Sequence, residues 1–150
     1  MPENKKTNPR GKMNISPIDR SNYFRGLLLL IRKDRTVTEP EKDLMMRIGK
    51  ALGFDREFCE MAIREILDNI HIEDEPPKFQ EKALAEKFIR DGLAVGFCDH
   101  DRLHTHEEEW LKRTAEKNGL NSEWFDLQLK SAMLNQEMMN DLEAYHLAVH

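Results

Sequence analysis

What this chain lacks narrows its class before anything it contains. It has two cysteines, Cys59 and Cys98, far apart and without CxxC spacing, so neither a disulfide framework nor a cysteine zinc motif has material to form. Each lies in an apolar neighbourhood and is expected as a buried free thiol. Long hydrophobic runs are missing too. The most apolar stretch, Leu27-Leu28-Leu29-Leu30-Ile31, is far short of the roughly 20 residues that cross a bilayer. No secretory apolar segment follows the start, so the expectation is a cytoplasmic protein with no membrane insertion. β-branched runs are short, and no stretch alternates apolar and polar residues for long, which argues against a sheet. There is no phosphate-cradling glycine loop and no nucleophile elbow. The sequence therefore does not read as an enzyme.

What is present is charge. Of the 150 residues, 34% are charged against 39% hydrophobic, a balance that suits amphipathic helices needing one apolar stripe each. That length fits one domain able to bury a core without metal or disulfide support. The formal net charge is −5, from 28 acids and 23 bases, and an acidic domain is poorly equipped to displace counterions from phosphate. No nucleic-acid partner is expected. The exception is residues 1–15, where Lys5, Lys6, Arg10 and Lys12 crowd among Asn, Pro and Gly. With little to bury, this stretch reads as a disordered basic leader before a single helical domain at 16–150.

Start and stop signals divide that domain into six helices. Ser16-Pro17-Ile18-Asp19 opens the first, which runs to about Arg32. Thr38 and Glu41 form a capping box for a helix carrying Leu44, Met45, Ile48 and Leu52, ended by Gly53. Asp55 caps a third helix, where Phe58, Ala62, Ile66 and Ile70 recur every four residues. His71 to Pro77 is a polar connector. A fourth helix is expected from Pro76 or Pro77, carrying Phe79, Leu84, Phe88, Leu93 and Val95. Trp110 and Leu111 mark a fifth, stopped at Asn118-Gly119. A sixth, capped by Asn121 or Ser122, carries Trp124, Leu127, Leu134, Met138, Leu142 and Tyr145 on a heptad-like stripe.

The second half echoes the first. A shift of 66 residues places Leu27 on Leu93, Val37 on Leu103, Glu41 on Glu107, Leu44 on Trp110, Met45 on Leu111, Gly53 on Gly119, Phe58 on Trp124 and Met61 on Leu127, without a gap. Identities are few, but loop, acid, apolar pair, glycine and cap recur in order. The expectation is an internal duplication, with two helical hairpins burying their faces against each other.

The repeated element reads IRKDRTVTEPEKDLMMRIGKALGF and again FCDHDRLHTHEEEWLKRTAEKNGL. It resembles the pattern of the tellurite-resistance TerB-like family, in which an Asp-Gly turn precedes a helix that begins with glutamate. The resemblance spans roughly residues 20 to 135. Arg35 stands where that family has its turn glycine, and His100, flanked by Asp99 and Asp101, stands opposite Asp34. The resemblance implies an all-α fold of two related halves, a divalent metal ion held by acidic residues, and a link to tellurite or stress resistance.

Two groups of side chains could carry chemistry. Asp34 and Glu41 could supply oxygen ligands to a hard cation across a helix N-terminus; the competing account gives Glu41 to the capping box. Asp99, His100, Asp101, His104, His106 and Glu107 form the densest ligand cluster, and its mixed donors suit zinc or another first-row metal. The plain alternative is a charged surface that binds nothing specific. An EF-hand is excluded, because its sixth and twelfth loop positions would be His104 and Trp110. A remote alternative sets His71, His100, Asp101 and Asp126 as the ligands of an HD-like metal phosphohydrolase. A third reading is a pure interaction module without metal. Its surface would be the last helix, whose stripe and methionines, Met133, Met138 and Met139, could pack on a partner protein or a second copy.

Overall fold

The computed structural model describes residues 13–32, 37–69, 71–98, 103–134 and 141–149. Among them are six α-helices: α1 (Pro17–Arg32), α2 (Glu39–Ala51), α3 (Arg56–Asp68), α4 (Lys82–Phe97), α5 (Thr105–Lys117) and α6 (Ser122–Leu134). The fold is all-α, with one small addition. A short strand β1 (Met13–Ile15) pairs in parallel with β2 (Leu147–Val149), tying the two ends of the domain together. The leader expected over residues 1–15 thus ends in a paired strand, and residues 1–12 lie outside the described residues.

Helix ends follow local chemistry. Ser16 Oγ accepts from the Asp19 amide at 3.1 Å, and Asp55 Oδ1 accepts from the Phe58 amide at 2.8 Å. Asn121 rather than Ser122 caps α6, its Oδ1 accepting from the Glu123 amide at 2.7 Å. Each bond satisfies an amide that the helix itself cannot. Gly53 and Gly119 end α2 and α5 with φ of 90° and 74°, a left-handed conformation that side chains other than glycine adopt at a cost.

α1 and α4 form the centre and pack on each other. The run Leu27–Ile31 on α1 and the run Gly92–Phe97 on α4 are buried throughout. α2 and α3 pack on each other and on α1, while α5 and α6 pack on each other and on α4. Close approach at the centre depends on Gly26 and Gly92. A Cβ at Gly26 would meet the Phe88 ring at 2.8 Å, and one at Gly92 would meet Leu111 Cδ2 at 2.7 Å. The 66-residue shift carries Glu39–Ala51 onto Thr105–Lys117 and Arg56–Asp68 onto Ser122–Leu134.

Three expectations about the elements need correcting. First, α4 begins at Lys82, not at Pro76 or Pro77. The intervening chain is extended and pinned to α5: Trp110 Nε1 donates to the Asp74 carbonyl at 2.7 Å, and Asn118 both accepts from the Phe79 amide and donates to the Pro77 carbonyl at 2.9 Å. Consecutive prolines have no amides to lose there. Second, the repeat of Phe58, Ala62 and Ile66 is not the core face of α3. That face is Cys59, Ile63 and Ile66, and Phe58 is 42% exposed. Third, α6 is described as far as Leu134, Met138 lies outside the described residues, and Leu142 and Tyr145 are not on an α-helix. Leu127 and Leu134 are 64% and 89% exposed, whereas Phe125 and Ala132 face the core. Leu142 is buried, but in the separate segment 141–149, whose residues Glu143–His146 form a 3-10 helix.

Candidate functional site

Glu41 and Glu107, which the 66-residue shift aligns, each lie in the first turn of a helix. Glu41 lies in the first turn of α2, where its Oε1 accepts from the Thr38 amide at 3.0 Å and Thr38 Oγ1 accepts from the Glu41 amide at 3.3 Å. Glu107 lies in the first turn of α5, its Oε1 accepting from the His104 amide at 3.3 Å. Both are buried. A carboxylate so placed compensates its burial by hydrogen bonding and by the positive end of the helix dipole.

Asp34, Asp99, His100 and Asp101, the other expected ligands, lie outside the described residues. His104 and His106 are exposed, with their rings stacked at 5.7 Å between centroids. Among the described residues, no three His, Cys, Asp or Glu side chains are grouped to hold a metal ion. Of the remaining phosphohydrolase candidates, His71 and Asp126 are both exposed, one in the connector and the other on α6.

An apolar groove lies between α1 and α3. Phe24 and Leu28 of α1 form one wall, and Phe58, Met61 and Ile66 of α3 form the other, with Phe54 at one end. Its volume is about 220 Å³, more than the roughly 150 Å³ engineered cavity that holds benzene. The rings of Phe24, Phe54 and Phe58 pack against one another at a tilt, with the Phe54 and Phe58 centroids 4.8 Å apart. Arg25 on α1 and Glu65 on α3 stand at its rim, both exposed. Met61 is 58% exposed. On α6 the residues 66 positions on, Trp124 and Leu127, also reach the surface, joined by Met133 and Leu134.

One buried group escaped the sequence reading. Asp91, mid-helix on α4, reads locally as an ordinary solvent-facing acid, yet it is buried at the junction of α1, α4 and the C-terminal segment. Its Oδ2 accepts from the Tyr23 hydroxyl at 2.6 Å and the Ala144 amide at 2.9 Å, and its Oδ1 accepts from the Glu143 amide at 2.7 Å. Burial pushes the Asp91 carboxyl up to about 7, against the lowering effect of these three donors. The Tyr23 hydroxyl is raised well above its usual range, by burial first and by the neighbouring Asp91 next. The one signal available beforehand was position: an acid two residues from both Ile89 and Leu93 and directly before the apolar run Gly92–Phe97.

Among the described residues no helix is long and apolar enough to cross a membrane. Compared with family models, with curated proteins and with solved structures, the chain has no significant match.

Proposed function

We propose that this chain is a non-catalytic helical scaffold of the TerB-like type, built from two related halves, that binds an amphipathic helix of a partner protein in the groove between α1 and α3. The observation that carries this reading is Met61 and Phe58. Both are large apolar side chains at helical spacing, left open beside a groove rather than turned into the core. A groove walled by two helices takes a third helix through apolar anchors spaced three or four residues apart. Arg25 and Glu65 put one charge of each sign at the rim, which suits a helix with mixed charges flanking its anchors. α6 offers a second apolar surface through Leu127 and Leu134, in keeping with a protein that joins partners.

The test is co-purification from the source cells with the wild-type chain and with Met61→Lys. A partner held by the wild type and lost from the variant, with the melting curve unchanged, supports the groove. Equal recovery by both chains removes it.

Ion binding is the second reading, and the matched burial of Glu41 and Glu107 favours it. Each carboxylate follows closely in sequence on further candidate donors, Asp34 for one and Asp99, His100 and Asp101 for the other. Oxygen and imidazole donors of this kind would take a divalent ion, with tellurite or stress resistance as the physiology the TerB-like plan suggests. Calorimetry with zinc, manganese and calcium on chelator-stripped protein decides it. A saturable heat lost on replacing Asp99, His100 and Asp101 by alanine supports that site, and identical heats from both proteins dismiss it.

A further inference from the structure

The C-terminal segment is attached differently from the rest of the molecule. Residues 141–149 lie across α2 and α4, burying Leu142, Ala144 and Leu147. α1 and α5, the counterparts of α4 and α2 under the 66-residue shift, pack directly on each other. The segment therefore occupies a seam that has no equivalent in the other half.

Its side-chain attachment is to α4, with Asp91 as the buried anchor. The Glu143 and Ala144 amides, which open the 3-10 helix, both donate to Asp91. The Glu143 carboxylate pairs with Lys87 at 3.2 Å and with Arg90 at 3.6 Å, both on α4. Beyond this, Leu147–Val149 pair with Met13–Ile15. A segment with three buried apolar side chains and one central anchor can open without unfolding a helical core that buries far more.

We propose that residues 141–149 form a releasable strap, latched by the Asp91 side chain, whose departure uncovers the seam between α2 and α4. This rests on the hydrogen-bond geometry and stands whether or not the α1/α3 groove binds a partner. The uncovered seam carries an acid at its floor and Lys87 and Arg90 at its rim. That is a seat for a segment presenting free backbone amides beside a carboxylate, as the strap itself does.

The latch responds to pH in a definite direction. Facing Asp91 are Tyr23 from α1 and Glu143 and Tyr145 from the strap; Lys87 and Arg90 of its own helix act through Glu143, and Arg47 of α2 and the strap's Asp141, paired with His146, lie beyond Tyr145. Burial holds the docked carboxyl at about 7, whereas a released one returns towards its ordinary 3.8. Docking therefore favours the protonated acid. The strap is tightest below 3.8, loosens as pH rises to about 7 and changes little above that.

Hydrogen exchange of single amides in the full chain tests this, with rates corrected for intrinsic pH dependence. The Glu143 and Ala144 amides should open at least about tenfold more often than those of Leu27 and Leu93. Their opening should increase about tenfold or more between roughly pH 5 and pH 8, and Asp91→Asn should flatten that rise. Glu143→Gln, which leaves the core untouched, should speed strap opening alone. Strap amides that open only together with Leu27 and Leu93, in both the wild type and Glu143→Gln, would overturn the strap. A pH rise that survives Asp91→Asn would overturn the latch.

Discussion

Tyr23 and Asp91 show how a residue's meaning depends on what reaches it from elsewhere. The hydroxyl of one and the carboxylate of the other meet at 2.6 Å across 68 residues of sequence, and no local pattern announces that contact. Removing the donor leaves the carboxylate with two of its three partners. Tyr23→Phe should cost about 1.5–3 kcal/mol, the range for hydrogen bonds to charged groups; urea unfolding well above pH 7, where Asp91 is ionised, measures it. Glu41 is the opposite case. Its capping role was legible from Thr38-Glu39-Pro40-Glu41, because the spacing itself creates the contact. Glu41→Gln keeps an acceptor for the Thr38 amide and should change the melting temperature little, whereas Glu41→Ala should cost about 1 kcal/mol. Any ion held at that corner would still weaken on Glu41→Gln, so calorimetry beside the melts separates the two roles.

At the level of the helix, periodicity revealed which segments coil but not always which face turns inward. α2 was legible because Leu44, Met45, Ile48 and Leu52 are its only large apolar cluster, and all four are buried. α3 and α6 carry apolar residues on more than one face, so two phases compete. The repeat Phe58, Ala62, Ile66 and the stripe Trp124, Leu127, Leu134 are as regular as the true core faces. Only packing against α1 and α4 selects Cys59 and Ile63 on one helix, Phe125 and Ala132 on the other. Substitution should separate the faces. Leu127→Lys and Leu134→Lys, both at exposed sites, should shift stability by no more than about 0.5 kcal/mol. Phe125→Ala should cost about 3–5 kcal/mol by opening a cavity in the core. Denaturant midpoints at constant slope provide the comparison.

Over the whole molecule, the sequence was most informative where helix limits recur at a fixed spacing. The 66-residue shift matches the limits of α2 with α5 and of α3 with α6, and it aligns Gly26 with Gly92 as well as Gly53 with Gly119. Each pair meets the same demand, close helix contact in one and a left-handed turn in the other. Gly26→Ala should therefore destabilise by about 1–3 kcal/mol through contact with Phe88, seen as a lowered thermal midpoint. The strap and β1 were illegible for the converse reason. They join chain ends more than a hundred residues apart, and Met13–Ile15 pairing with Leu147–Val149 leaves only three residues of pattern at each end. A region outside that spacing has no matching segment to reveal it.

The account stands or falls on whether the open side of α3 is a working surface. Site-directed photo-crosslinking tests that most directly, with a photoreactive amino acid at position 61 in the groove wall or, as control, at exposed position 112 on α5. Irradiation in the source cells should give a discrete covalent adduct from position 61 and none from position 112. No adduct at position 61, or the same adducts at both positions, would contradict the proposed role.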